Sequence, residues 1–115
     1  MPRITIPLRL VSEANSREHW SVKAKRARVQ RHAVLLALRA HKAPKPWPCV
    51  VTITRMGVRK LDDDNLARSA KSVRDSVAHY LGHDDGDPGY DWRYAQRAAG
   101  VRRYGVEITI EAKEA

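Results

Sequence analysis

The residues best suited to chemistry in this 115-residue chain lie in the segment LDDDNLARSAKSVRD, positions 61 to 75. Three adjacent aspartates, Asp62 to Asp64, stand there although Lys and Arg outnumber Asp and Glu by 22 to 13 and the formal net charge is +9. Like charges this close repel one another, and burying them unpaired is costly. One aspartate would suffice to cap a following helix, so the cluster requires a further role.

Hard divalent cations supply such a role, because Mg²⁺ binds one or two carboxylates together with phosphate and water. On an extended segment, Asp62 and Asp64 point to the same side and could share an ion. A second acidic group, Asp84, Asp85 and Asp87, could complete the site. The spacing matches neither an EF-hand loop nor a zinc motif. The sequence therefore predicts a magnesium site.

A helix over residues 65 to 79 or 81, ended by the glycine at 82, is predicted after the acidic turn. One stripe of this helix carries two acids and two bases, namely Asp64, Arg68, Lys71 and Asp75. The opposite stripe is apolar and comprises Leu66, Ala70, Val73, Val77 and Leu81. We expect the apolar stripe to be buried and the charged stripe to face outward.

The length of this helix decides whether the two acidic groups can meet. A straight helix ending at Leu81 is about 25 Å long, and residues 82 to 85 return at most about 14 Å. Asp85 would then stay roughly 11 Å or more from Asp64, too far for one metal site. We therefore predict that the helix ends near Ala78 and the chain folds back. The alternative is that Asp85 joins a site in a partner subunit.

The surplus of positive charge favours nucleic acid as the partner. Much of it lies in the segment KAKRARVQR, in the first half of a helix predicted from Ser16 to about Ala40. The second half, AVLLALRA, is apolar and is expected to belong to the core. The residues predicted to contact DNA phosphates are Lys23, Lys25, Arg26, Arg28, Arg31 and Arg68.

Four strands are predicted around these helices, over residues 4–10, 49–54, 90–96 and 101–112. Pro7 favours an edge position or a bulge for the first strand, and the β-rich second strand is expected to be central. The last two strands are predicted to form a hairpin. The order β-α-β-α-β-β predicts an α+β single domain, with two helices packed on a small mixed sheet.

Several features bear on where the protein resides. The longest apolar run, AVLLAL, is far shorter than the roughly 18 residues of a membrane span. No signal-peptide core follows Met1. The single Cys49 cannot form an internal disulfide. We therefore expect a cytoplasmic protein without membrane association.

The acidic motif also has the order D-x-D-N, then a lysine along the helix, then a D-D pair. In this chain the residues are Asp62, Asp64 and Asn65, then Lys71 or Arg68, then Asp84 and Asp85. This order resembles the RusA family of Holliday junction resolvases. The outline is similar too, with an N-terminal strand, a polar turn (SEANS), a basic helix and a closing hairpin. The resemblance covers most of the chain, and the acidic motif is its specific part.

Two positions depart from the family pattern. The family lysine lies four residues after the second aspartate, where this chain has Arg68. Lys71 follows three residues later on the same stripe. We assign the lysine role to Lys71, because K-x-x-x-D from Lys71 to Asp75 is similar to the family's continuation. DDGD replaces the family's usual D-D-x-Q, which leaves Asp85 and Asp87 as alternative metal ligands.

The resemblance implies one RusA-like nuclease domain over residues 1–115 that acts as a homodimer on four-way DNA junctions. It implies Mg²⁺-dependent nicking of two symmetric strands, with Mn²⁺ able to substitute and no small-molecule cofactor. Asp62, Asp64 and Asp85 would bind the metal, and Lys71 would offset charge that develops on the phosphate or leaving oxygen. Since no Ser, Tyr or Cys is evidently placed as a nucleophile, hydrolysis would be in-line.

Two other functions fit parts of the sequence. A non-catalytic, phage-type DNA-binding regulator explains the positive charge but leaves the acidic cluster without a role. A metal nuclease that acts on other branched DNA or on RNA explains both the charge and the acids. Cleavage of a four-way junction with and without Mg²⁺ distinguishes these alternatives.

Overall fold

Four strands form one mixed sheet in the computed structural model, which describes residues 3–12, 18–100 and 103–114. The elements in chain order are β1 (Ile4–Ile6), α1 (Trp20–Ala40), β2 (Cys49–Gly57), α2 (Asp63–Ser69), α3 (Lys71–Leu81), β3 (Tyr90–Ala98) and β4 (Gly105–Ala112). The predicted α+β class is confirmed. No helix in these ranges is long and apolar enough to cross a bilayer.

The sheet has the order β1-β4-β2-β3. β2 is central as predicted, because it pairs antiparallel with β4 and parallel with β3. Its core-facing side chains include Cys49, Val51 and Ile53, which are all fully buried. β1 lies at one edge, as Pro7 predicted, and β3 lies at the other.

The predicted hairpin between the last two strands is wrong. β3 and β4 do not pair with each other, because β2 lies between them. β3 matches β2 in parallel register from Cys49↔Tyr90 to Gly57↔Ala98. The strand pattern of the sequence is therefore correct, but local alternation carries no information about which neighbour a strand selects.

The helices cover one face of the sheet and enclose the core. α1 packs on α3 and contributes Val34 and Leu38 to the core, as expected for its second half. It begins at Trp20 and not at Ser16, which lies outside the described residues. The ring of His19 caps this helix, since its Nδ1 accepts a hydrogen bond from Ser21 N at 3.2 Å.

The predicted second helix is two helices that meet at Ala70. Ser69 donates its hydroxyl to Leu66 O at 2.7 Å, and the Ala70 N–H is shared between Leu66 O and Ala67 O, both at 3.2 Å. Such side-chain bonding to a preceding carbonyl bends helices. The predicted apolar stripe is nevertheless buried on both sides of the break, from Leu66 to Leu81.

The predicted helix end near Ala78 is also wrong. α3 continues to Leu81, whose side chain is buried in the core. Gly82 ends it with φ 80°, in the left-handed region that glycine adopts without steric cost. Its N–H donates to Ala78 O at 3.0 Å. Burial of Leu81 therefore favours the longer helix over an early return of the chain.

Candidate functional site

The acidic turn, which we define as Asp62 to Asp64, lies where α2 begins. Asp62 is the N-cap: its Oδ1 accepts a hydrogen bond from Asn65 N at 2.8 Å, and its Oδ2 accepts one from Asn65 Nδ2 at 3.0 Å. Asp63 and Asp64 form the first helical turn, so the assumption of an extended segment through Asp64 is wrong. Acids at this position are favoured by the helix dipole.

Asp63 and Asp64 are exposed, and their side chains make no hydrogen bond or ion pair with other described residues. The backbone of Leu61, which directly precedes the turn, is bound by the side chain of Gln96 on β3. Leu61 N donates to Gln96 Oε1 at 2.9 Å, and Gln96 Nε2 donates to Leu61 O at 2.6 Å. The acidic turn is therefore fixed to β3, while two of its carboxylates stay available to a ligand.

The acidic loop, which we define as Asp84 to Asp87, is bound by a residue that the sequence analysis missed. Arg74 on α3 donates from Nε to the Asp85 carboxylate at 3.1 Å and from Nη2 to Asp85 O at 3.0 Å. Trp92 Nε1 also donates to Asp85 O, at 2.9 Å. Eleven residues separate Arg74 from Asp85, and no periodic pattern in the sequence links them.

Arg74 also contacts two aromatic side chains of β3, Tyr94 and Trp92. Its Nη1 donates to the Tyr94 hydroxyl at 3.0 Å, and its guanidinium lies 4.7 Å above the Trp92 ring centre. Burial lowers the pKa of Arg74, but the hydrogen bond with Tyr94 and the charge of Asp85 raise it to above its ordinary value. Arg74 therefore remains a cation beside Asp85 and competes there with any metal ion.

The rest of the acidic loop is built from internal hydrogen bonds. Asp87 N donates to Asp84 O at 2.9 Å, and the Asp87 carboxylate accepts from Gly89 N at 2.8 Å. Tyr90 donates its hydroxyl to His83 O at 2.7 Å. Burial, with the nearby Cys49 thiol and loop carboxylates, raises the pKa of Tyr90 to about 12. The loop is thus an ordered part of the fold.

The two acidic groups are attached to the same face of β3 at separate points. Trp92 holds the acidic loop, and Gln96 holds the acidic turn. At about 3.3 Å per residue, these anchors lie roughly 13 Å apart along the strand. No group of three or more His, Cys, Asp or Glu within the described ranges is arranged to hold a metal ion. A single chain therefore does not bring Asp62, Asp64 and Asp85 together.

A groove of about 460 Å³ separates α1 from α2 and α3. Lys23 and Arg31 line it from α1, and Arg68 and Lys71 line it from the facing helices. Its floor includes a hydrogen bond between Ser72 and Gln30, both buried. We call this surface the basic groove.

Asp75 is where the basic groove meets the acidic loop. It pairs with Lys71, with Nζ and Oδ2 3.4 Å apart. It also lines a second pocket, of about 360 Å³, together with Asp84 and Asp85. Arg68, Lys71 and Asp75 therefore share one surface as predicted, and Asp64 lies one helical turn before Arg68.

The remaining basic residues of α1 differ in their surroundings. Lys25 and Arg28 are exposed. Arg26 is half-buried, and its Nη1 pairs with Glu18 Oε1 at 2.6 Å. Trp20, with 72% of its surface exposed, stands at the start of the same helix. The predicted DNA-contacting residues are therefore divided between the basic groove and the open side of α1.

Comparison of the chain with protein-family models, with curated proteins and with solved structures gives no match.

Proposed function

We propose that this chain is a Mg²⁺-dependent endonuclease that resolves four-way DNA junctions as a homodimer. The observation that carries the proposal is the basic groove with carboxylates at both ends. Four cationic side chains line it, the acidic turn ends at Asp64, one helical turn before Arg68, and Asp75 joins the groove to the acidic loop. A phosphate backbone in this groove would lie beside exposed carboxylates, which is the arrangement that metal-assisted phosphodiester hydrolysis requires.

The acidic turn suits Mg²⁺ better than the acidic loop does. Asp64 is exposed and unpaired among the described residues. Asp62 is exposed on the same turn, and each of its oxygens, which accepts one hydrogen bond from Asn65, keeps a lone pair for an ion. Two carboxylates suffice when phosphate and water complete the coordination. An ion held there would polarise the scissile phosphate and activate a water molecule. Lys71, exposed on the groove wall, would offset charge on the phosphate or leaving oxygen.

Asp85 does not reach the acidic turn of its own chain, because Trp92, which anchors Asp85, lies roughly 13 Å along β3 from Gln96, which anchors the turn. We propose that it serves the site of the partner subunit. Its Oδ2 is bound to Arg74, which leaves Oδ1 as the oxygen available to a ligand. Two shared sites in a two-fold dimer suit two symmetric cuts.

Mixing an Asp62→Asn subunit with an Asp85→Asn subunit tests the shared site. A shared site leaves one intact pair in each heterodimer, so nicking of one strand is expected to return. Each homodimeric variant serves as the control and should stay inactive. If all mixtures are inactive while each variant still forms heterodimers with the wild-type chain, Asp85 does not act across the dimer.

The proposed function is tested by incubating the protein with a synthetic four-way junction, a linear duplex and a single-stranded RNA, with and without Mg²⁺. Paired nicks at symmetric positions in the junction, only with Mg²⁺, are expected. Junction binding without cleavage in Mg²⁺ or Mn²⁺ would overturn the proposal in favour of a DNA-binding regulator. Preferential cleavage of RNA or of unbranched DNA would favour another metal nuclease.

The DNA path is tested by salt dependence. Each phosphate contact contributes about 0.9 to the slope of log K against log[salt]. Arg28→Gln is expected to flatten the slope by about that amount, because Arg28 is exposed. Arg26→Gln is the matched control, with a smaller expected change because Glu18 already pairs with Arg26. Equal slopes for Arg28→Gln and the wild-type chain would move the DNA path away from this side of α1.

A further inference from the structure

The outer edge of β3 is unpaired within the part of the chain that the structure describes. β3 has nine residues and is the last strand of the sheet. No strand within the described ranges pairs with its outer side. Proteins normally protect such edges by shortening them, by bulges or proline, or by charged side chains, because free N–H and C=O groups invite pairing. β3 is long, has no proline or bulge, and keeps an unbroken register with β2. It does carry charges, Asp91, Arg93 and Arg97, but they are of both signs and can therefore pair across a suitable register.

Two hydrogen bonds identify the backbone groups that point outward. Cys49 N donates to Gly89 O at 3.0 Å, and Ala99 N donates to Gly57 O at 3.1 Å. In a parallel pair, alternate residues direct both backbone groups to the same neighbour. Odd-numbered residues of β3 therefore bond to β2. The outward N–H and C=O groups belong to Trp92, Tyr94, Gln96 and Ala98, while the N–H of Tyr90 is bonded to Asp87 O.

We infer that two copies of this chain pair antiparallel through β3, with the two-fold axis at Tyr94. Trp92 then lies opposite the partner's Gln96, and about six backbone hydrogen bonds join the two strands. Asp91 lies opposite the partner's Arg97, and the two-fold axis repeats this ion pair. Both side chains are on the open face of the sheet, since odd-numbered residues point away from the helices.

Charge selects this register over its neighbours. A shift of two residues in one direction places Arg93 opposite the partner's Arg93, and a shift in the other places it opposite the partner's Arg97. Like charges directly opposite destabilise an antiparallel pair. In the inferred register Arg93 faces the partner's Ala95. Within one chain Asp91 already pairs with Arg93 at 2.9 Å, and Arg97 pairs with Glu107. The pairing would therefore extend two short ion pairs into one alternating network.

The same register bears on the homodimer of the proposed function. Trp92 anchors the acidic loop, and Gln96 anchors the acidic turn. Across the paired strands, Trp92 of one chain would lie about 5 Å from the partner's Gln96. Within one chain, the same two residues lie roughly 13 Å apart. This consequence rests on the proposed function, whereas the strand pairing does not.

The dimer dissociation constant, measured by sedimentation equilibrium, tests the interface. Arg97→Glu and Asp91→Arg each make both interchain pairs repulsive, and each is expected to raise the constant at least about tenfold. The double variant restores opposite charges and should return within about threefold of wild type. Arg93→Glu is the matched control, because it makes the same charge change opposite the partner's Ala95; its constant should stay within about threefold. Thermal unfolding checks that each variant is folded.

A cross-link tests the register independently of charge. Mixing an Arg93→Cys chain with an Ala95→Cys chain should give a disulfide-linked dimer, since these positions face each other with Cα atoms about 4.5 Å apart. Neither chain alone should cross-link efficiently. Failure of the mixture to cross-link, or no effect of Arg97→Glu on association, would overturn the interface.

A rival surface is the exposed stripe of Val22, Val29 and Leu36 on α1. Dissociation by Val29→Asp but not by Arg97→Glu would assign the dimer to α1 and overturn the β3 pairing. A wild-type chain that is monomeric yet nicks junctions would overturn the interface and the shared site, but not the nuclease activity. A β3-paired dimer without cleavage would overturn the proposed function alone.

Discussion

The acidic turn and the acidic loop have nearly the same composition but opposite relations to the fold. In the turn, Asp62 caps α2 while Asp63 and Asp64 remain exposed and unpaired among the described residues. In the loop, Asp85 is bound by Arg74, and Asp87 accepts a hydrogen bond from Gly89. Among the described residues, two of the three carboxylates of the turn are therefore unpaired, whereas two of the three in the loop are occupied by structural contacts.

The difference shows that acidic clusters must be judged by their partners and not by their spacing. A carboxylate with a bound guanidinium has lost part of its capacity for a metal ion, since the cation already present repels a second one. An exposed carboxylate at a helix start keeps that capacity. We therefore expect changes in the turn to affect cleavage, and a change at Asp85 to affect both stability, through Arg74, and cleavage, through its proposed role in the partner's site.

The largest effect is expected from Asp64→Asn, which should slow cleavage at least about 100-fold, or ~2.7 kcal/mol of barrier. Asp62→Asn should act similarly and preserve the fold, because Asn caps helices as well as Asp does. Junction binding should be unchanged or tighter, since a charge that repels phosphate is removed. Single-turnover cleavage of saturated complexes measures the rate separately from binding. Asp63→Asn is the matched control, with the same charge change on the same turn.

If Asp63→Asn slows cleavage as much as Asp64→Asn does, the turn acts through its total charge and not through specific ligands. Loss of junction binding in proportion to loss of cleavage would contradict the metal site.

Arg74→Met is expected to lower the free energy of unfolding by about 2 kcal/mol, because it removes charged hydrogen bonds to Asp85 and to Tyr94. Urea denaturation measures this change. Arg93→Met is the control, since Arg93 is exposed and its side chain bonds only to Asp91 among the described residues, and its effect should stay within about 0.5 kcal/mol. An Arg74 variant as stable as wild type would show that the acidic loop does not depend on this contact.

Lys71→Ala is expected to slow cleavage about tenfold more than Arg68→Ala, or ~1.4 kcal/mol of barrier. Both side chains line the basic groove, but Lys71 is the one paired with Asp75 beside the acidic loop. Single-turnover rates of the two alanine variants decide the ranking. The reverse order would assign the role to Arg68, at the position that the RusA pattern gives to lysine.

Tyr90→Phe is expected to cost about 1 kcal/mol of unfolding free energy through the lost hydrogen bond to His83 O. The pKa of Tyr90 is raised to about 12 from 10.0, so the folded chain favours the neutral phenol. Its stabilising effect is thus complete below pH 10 and declines as the pH approaches 12. The stability difference between wild type and variant, measured across this range, should shrink as the pH rises. A difference independent of pH would contradict the raised pKa.

The sequence by itself determined the elements and the faces they bury. Alternating and helical periodicity placed the strands and the apolar stripe from Leu66 to Leu81, and all of that stripe is buried. Pro7 predicted the edge position of β1, and the β-rich run after Cys49 predicted the central strand. These features depend on local burial and on single-residue backbone limits, which are encoded within a few residues of each position.

The tertiary structure alone decided the partners. The insertion of β2 between β3 and β4, the break at Ala70 and the contact of Arg74 with Asp85 all join residues that no local pattern connects. Each arises because a strand or side chain selects among several compatible neighbours, and that choice depends on the packing of the whole core. The sequence therefore identified the acidic residues. Which of their carboxylates are bound by other side chains is decided by tertiary contacts such as that of Arg74, on α3, with Asp85 and with Tyr94 on β3.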